Sequence, residues 1–267
     1  MDEPPTPSDR WDPDRYHRFR AERRRPFDDL VAELHPTPGG RLVDLGCGTG
    51  ELTAAAAAAL GASSALGLDA SPAMLARAAA VTAPGLDLTF REGDLAAFEE
   101  PSSWDVVLAN ASLHWVPDHP TVLARWRRSL RPGGQLAVGV PANPDHPSHT
   151  TITEVLAEEP FATLVPDPPP DPLHSVLDPA RYAEVLWDLG APDPLVRLQG
   201  YGMAMASTAE VVEWTSGTAL TRVRRLLDDD AYDRFVDRYR TRLLERLGDR
   251  SPYYYAFKRI LMVATFP

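Results

Sequence analysis

The chain has 267 residues, 44% of them hydrophobic and 24% charged, enough apolar material for a sizeable core without metal or disulfide staples. With 27 Lys+Arg against 38 Asp+Glu it carries a formal net charge of -11, which sets it against phosphate backbones and anionic bilayers. The single cysteine, Cys47, excludes an internal disulfide and a cysteine-rich metal centre, so no nucleic-acid, membrane or metal partner is expected.

Residues 1–10 are acidic and proline-rich and read as a disordered tail. They lack the basic start and apolar core of a secretory signal, so a cytoplasmic location is expected. From Trp11 the pattern turns helical, with Phe27, Leu30, Val31 and Leu34 at helical spacing, and Pro36 and Gly39-Gly40 end it. Strands are predicted at Arg41 to Leu45, Ser64 to Leu68, Leu86 to Phe90, Trp104 to Ala109 and Gln135 to Val140. Helices alternate with them: Ala54 to Leu60, a helix capped by Ser71 with Pro72 in its first turn, and His119 to Leu130. Arg131-Pro132-Gly133-Gly134 reads as a breaker after the last of these. This rhythm predicts an α/β fold with a doubly wound, mostly parallel sheet.

After residue 141 the order changes. Pro166 to Pro172 reads as a stiff connector, and strand-like segments follow at Leu195 to Met205 and Tyr254 to Phe266. Between them Tyr232, Phe235, Val236, Tyr239, Leu243, Leu244 and Leu247 form one apolar helical stripe, read as an insertion covering the sheet's edge. The expected organisation is an N-terminal helical segment at 11–40, a Rossmann-like domain at 41–206 and 249–267, and a helical cap at 207–248 inserted before the last strand.

The sharpest local signal is Asp44-Leu45-Gly46-Cys47-Gly48-Thr49-Gly50, directly after a strand and before a helix. In such sheets ligands bind outside the carboxyl ends of the strands, and glycines let a ligand approach the backbone. The G-x-G-x-G spacing differs from the dinucleotide fingerprint and from a Walker A loop, which disfavours a nicotinamide oxidoreductase. Asp69 closes the second strand, where a carboxylate accepts hydrogen bonds from a ribose diol. Asp94 follows the third strand, placed for an exocyclic adenine amine, and Asn110 ends the fourth at the same mouth.

Loop, ribose acid and adenine acid in this order resemble the class I S-adenosylmethionine-dependent methyltransferases over residues 41 to 140. By that resemblance Asp44, Gly46, Cys47 and Gly48 face the methionine part of the cofactor and Asp69 holds the ribose. Ala70 and Met74 flank the adenine, Asp94 and Leu95 hold its other edge, and Asn110 sits near the sulfonium. A narrower resemblance covers nearly the whole chain. Trp11-Asp12-Pro13 with Tyr16 and Phe19, the segment Ala109 to Pro120, the segment Pro141 to His149, Glu213-Trp214 and Arg259 with Ile260 to Ala264 are similar to the trans-aconitate methyltransferase group. That group makes a methyl ester of a tricarboxylate.

The resemblance implies a small-molecule acceptor that is a carboxylate. An ionised carboxylate needs no general base, but it must be held, and arginine forks do this well. Arg24, Arg222 and Arg259 are candidates, with Tyr254 as a hydroxyl donor. His114, beside Trp115, is expected near the acceptor, either donating to a carboxylate or acting as a base toward a hydroxyl. Trp11 and Tyr16 are expected to lie over the cofactor and exclude water. In place of the group's polar Trp-Glu-Thr-Thr-Tyr segment stands Gln199-Gly200-Tyr201-Gly202-Met203, followed by Met205. Tyr201 and Met203 are therefore expected to line a softer, more apolar acceptor site. The alternatives left open are O-, N- or C-methylation of a larger, more apolar natural product, and a non-catalytic cofactor-binding module.

Overall fold

The computed structural model describes residues 20–267. Trp11 and Tyr16 lie outside the described residues. Helix α1, Arg20–Ala32, carries Pro26 internally and buries Phe27, Leu30 and Val31. Strand β1, Arg41–Leu45, is buried at its four last positions, as an interior parallel strand requires. It leads through the glycine loop to α2, Glu51–Leu60, an alanine-rich helix that turns Ala56, Ala57 and Leu60 inward. Then come β2 (Ser64–Asp69), α3 (Pro72–Ala78), β3 (Asp87–Glu92) and β4 (Trp104–Asn110). A 3-10 turn at Leu113–Trp115 precedes α4, His119–Ser129.

Strand β5 runs from Leu130 to Pro141 and takes in Arg131 to Gly134. The predicted breaker is thus an irregularity inside a strand. Trp104 pairs with Leu130, the register then shifts, and Val106 pairs with Gln135. The extra residues on β5 form a bulge, which is how a strand absorbs a Pro-Gly-Gly run without ending.

The sheet has seven strands in the order β3-β2-β1-β4-β5-β7-β6. Strands β1 to β5 pair in parallel, and β7 (Tyr253–Thr265) runs antiparallel to β5. The order reverses between β1 and β4, so the carboxyl end of β1 opens at the topological switch point. This is the doubly wound, mostly parallel sheet expected from the strand–helix rhythm.

The described chain forms two compact units. One contains residues 24–142, 172–199 and 258–267. Its core fills both faces of the sheet: Val43, Leu45, Val107, Val138 and Trp126 on one, Leu30, Leu42, Val106, Leu108 and Ala137 on the other. It includes α7, Pro179–Asp188, which begins on the Asp178 cap and buries Tyr182, Val185 and Leu186.

The other unit contains residues 143–171 and 200–257. Helices α5 (Pro147–Leu156) and α6 (Phe161–Leu164) come first. After β6 (Leu195–Met205) come α8 (Glu210–Ser216), α9 (Thr221–Arg224) and α10 (Asp229–Leu247). The apolar stripe of α10, Phe235, Tyr239 and Leu243, packs with Ile152 and Val155 of α5 and with Tyr201, Met203, Tyr255 and Phe257 of the strands. The predicted helical stripe thus shares one apolar cluster with residues of β7 and of β6, the edge strand of the sheet.

Candidate functional site

Two glycines after β1 shape the site. Gly46 has φ 85°, and a Cβ there would overlap the Ser112 side chain, so no other residue fits. Ser112 itself donates to the carbonyl of Leu45 at 2.5 Å, which ties the end of β1 to the loop after β4. A Cβ on Gly48 would meet nothing within 4 Å, so its backbone faces open space that a ligand can enter. Asp69 fixes this loop from the neighbouring strand. One oxygen accepts from Gly48 N at 2.8 Å and the other from Ser71 N at 2.8 Å.

Asp44 is buried, at 3% exposure, and its carboxylate accepts from the Thr53 hydroxyl at 2.6 Å. Burial raises its carboxyl to about 6; the Thr53 bond opposes that rise and the Asp69 charge adds to it. Two carboxylates at the carboxyl end of adjacent strands, with a loop backbone open beside them, suit a ligand that brings positive charge and a hydroxyl-bearing sugar. S-adenosylmethionine has both, in its ammonium, sulfonium and ribose. The Cys47 thiol is pushed up by burial and then by Asp44 and Asp69, so it serves as a small neutral residue in the loop.

The remaining residues read from the first half of the sequence fall on the same unit. Asp94 is exposed after β3 and accepts from Ala96 N at 2.8 Å, with Leu95 partly buried beside it. Ala70 is exposed and Met74 half-buried at the start of α3, whose Ser71 cap accepts from Met74 N. Asn110 closes β4 opposite Gly139. Beyond it Ala111 adopts φ 55°, held by its N–H bonding the carbonyl of Gly139 at 2.8 Å.

His114 sits in the 3-10 turn, 8% exposed, its ring 4.8 Å from that of Trp115, which is half exposed. Arg259 pairs with Pro141, the last residue of β5, and so stands at the ligand end of the sheet. Arg24 is exposed on α1 and bound to Asp28 at 3.2 Å, a solvated i,i+4 pair.

Four acceptor-site candidates belong to the second unit. Tyr201 and Met203 are 5% and 6% exposed and pack in its core, Tyr201 stacked on Phe257 at 5.5 Å. Tyr254 is 69% exposed on the opposite face, where a Cβ on Gly202 would collide with its ring. Strand alternation therefore separates Tyr254 from Tyr201 and Met203, which the sequence reading had grouped. Arg222 is buried against Asp171 at 3.2 Å. Thr53 and Ser112 escaped the sequence reading. The only local signal for Thr53 was its place in the first turn of the helix after Gly50, and Ser112 had none until β4 was paired.

The sheet order, the glycine loop at the switch point and the acids that follow it define a class I S-adenosylmethionine-dependent methyltransferase. Residues 42–134 match the model of the methyltransferase domain family. The chain is 44% identical over 266 residues to the trans-aconitate 2-methyltransferase of Deinococcus radiodurans, covering 96% of this chain and 98% of that protein. It belongs to the trans-aconitate 2-methyltransferase family and uses S-adenosylmethionine as methyl donor. The Mycobacterium tuberculosis relative is 37% identical over 260 residues, 95% of this chain and 96% of its own length. Among solved structures, the YcgJ protein of Bacillus subtilis shares the fold at TM-score 0.57 and 15% identity, over 91% of this chain and 98% of its own. Phosphoethanolamine N-methyltransferase 2 of Haemonchus contortus, solved with S-adenosyl-L-methionine, aligns at TM-score 0.55 and 20% identity. That match spans 91% of this chain and 52% of the Haemonchus chain. Among the described residues no helix is long and apolar enough to cross a membrane, and no group of three acidic, His or Cys residues could hold a metal.

Proposed function

We propose that the acceptor is a small polycarboxylate of the trans-aconitate kind and the product its methyl ester. What carries this reading is the near-full-length likeness to proteins named trans-aconitate 2-methyltransferase, which extends beyond the cofactor half into the segments that follow residue 142.

In the reaction, S-adenosylmethionine supplies an electrophilic methyl on a sulfonium. The chain's own contribution is placement. Asp44 and the loop backbone at Gly46, Cys47 and Gly48 hold the methionine end, and Asp69 holds the ribose. Ala70, Met74, Asp94 and Leu95 enclose the adenine, and Asn110 lies toward the sulfonium. A carboxylate acceptor is ionised at neutral pH, so no side chain need remove a proton. Arg259, at the end of the sheet, orients the acceptor through a charge-assisted fork, and His114 donates to a second oxygen. Alignment of this kind contributes about 7–11 kcal/mol to a bimolecular transfer. Trp115, half exposed beside His114, lines the acceptor on this unit. Arg24 is left out of this set because it stands on a solvated helix face, its Nε on Asp28.

The departure at residues 199–205 does not enlarge the acceptor site in this reading. Tyr201, Met203 and Met205 are consumed by core packing. The reading includes a cytoplasmic location, which the lone free, buried thiol of Cys47 suits.

The test is a mass-spectrometric incubation of the protein with S-adenosylmethionine and trans-aconitate. S-adenosylhomocysteine and an ester heavier by one methyl should appear together. Turnover of S-adenosylmethionine only with acceptors that lack a carboxylate would overturn the reading.

A further inference from the structure

Within the unit formed by 143–171 and 200–257, three charged or titratable side chains are buried together. Arg222 Nη2 lies 3.2 Å from Asp171 Oδ2, and His149 Nδ1 lies 3.9 Å from the same oxygen. Their side chains are 9%, 10% and 15% exposed for Arg222, Asp171 and His149. His149 and Thr153 are one turn apart on α5, so both face Arg222, whose Nη2 also reaches Thr153 Oγ1 at 3.4 Å. Its Nη1 reaches the carbonyl of Pro169 at 3.5 Å. All these bonds are at the long end of the range for a guanidinium.

The donors outnumber what they are given. Arg222 Nε and His149 Nδ1 are buried and have no hydrogen-bond partner. A buried guanidinium whose Nε–H is unused is a poor structural element, because an unmet buried donor is costly. It is a good receptor for a second planar anion, since Nε and one Nη form the fork that binds carboxylates bidentately. Asp171 ends a loop with proline at 166, 168, 169 and 170, so its carboxylate is presented by backbone with few conformations.

We propose that Arg222 and His149 form a carboxylate-binding site within this unit, with Asp171 as an exchangeable counter-ion that an incoming carboxylate displaces. The choice of a polycarboxylate as ligand rests on the acid-acceptor reading above. No bond is made or broken in the exchange; one anion replaces another on the same two donors.

The test uses the full chain and citrate as the probe tricarboxylate, with binding measured by calorimetry and KM measured for trans-aconitate. Asp171→Asn removes the competing charge, and citrate should bind at least about threefold tighter. Arg222→Gln should bind citrate at least tenfold more weakly and His149→Gln several-fold more weakly, while the Kd for S-adenosylmethionine stays put. If Arg222→Gln fails to fold, Asp171→Asn and His149→Gln still decide the matter. An ordinary structural ion pair predicts the opposite sign for Asp171→Asn: lower stability with citrate affinity unchanged or weaker, and that result overturns the subsite. Wild-type protein that makes no ester from trans-aconitate, yet binds citrate more tightly as Asp171→Asn, would sink the acceptor reading and leave the subsite standing.

Discussion

Replacing Asp44 by Asn should make the cofactor-free protein more stable and the cofactor-bound one less so. The carboxyl is buried, and its folded value of about 6 lies above the ordinary 3.8. A raised acid binds its proton more tightly when folded, so the contribution to stability is present below the unfolded value and is lost as pH rises through the folded one. At pH 7.5 the full shift applies, and the ionised Asp44 costs the folded protein up to about 3 kcal/mol, shrinking to about 1 kcal/mol at pH 4.5. Asn removes this cost while its carbonyl still accepts from Thr53. Urea denaturation of both proteins without cofactor, at the two pH values, should show Asp44→Asn ahead at pH 7.5 with the gap mostly closed at pH 4.5. Binding should move the other way. Losing a charged partner for the cofactor's cationic end weakens S-adenosylmethionine by about 2 kcal/mol, near 30-fold in Kd. The wild-type affinity should likewise fall as pH drops through about 6, where Asp44 gains its proton. An Asp44→Asn variant less stable than wild type at pH 7.5, or a gap that ignores pH, would refute the reasoning.

Gly46→Ala should abolish S-adenosylmethionine binding by calorimetry and lose more than about 2 kcal/mol in urea, because an L-residue at positive φ and an overlap with Ser112 act together. Asp69→Asn turns one acceptor into a donor facing a backbone N–H, of Gly48 or Ser71. Cofactor affinity should fall at least tenfold, with about 1–2 kcal/mol of stability. Tyr182→Phe deletes a buried hydroxyl that bonds His119 Nδ1 at 2.6 Å and Leu177 N at 3.3 Å; it should cost about 2 kcal/mol with cofactor affinity unchanged.

The cofactor half was legible because its signals are local. A strand, a glycine turn and an acid at a strand end are each fixed by a few neighbours, and parallel pairing then brings Asp44 and Asp69 to the carboxyl ends of adjacent strands. The second half was less so. Helix α5 is capped by a histidine, His146 Nδ1 accepting from Ser148 N at 3.1 Å, and that is not a cap a pattern search expects. Helix α7 carries a local signal, Asp178-Pro179 followed by Tyr182, Val185 and Leu186, set among short polar loops. The resemblance alone puts Tyr254 and Met203 in one acceptor site, whereas alternate positions along the two paired strands put them on opposite faces. Arg222 was singled out as a charge, but its buried neighbours Asp171 and His149 come from segments far apart in the chain and only the fold assembles them.

Ala111 holds a left-handed backbone that glycine would adopt freely, at a cost of about 1–2 kcal/mol. Evolution had an easy escape and the chain does not take it. A glycine there would relax the turn, but it would also give the segment from Asn110 to Ser112 many unfolded and misaligned shapes to visit. The bond from Ala111 N–H to the Gly139 carbonyl and that from the Ser112 hydroxyl to the Leu45 carbonyl hold the alanine in this conformation against its own preference. The rim of the site is thus a spring held at one setting: slightly uncomfortable at rest, and already in position before any ligand arrives.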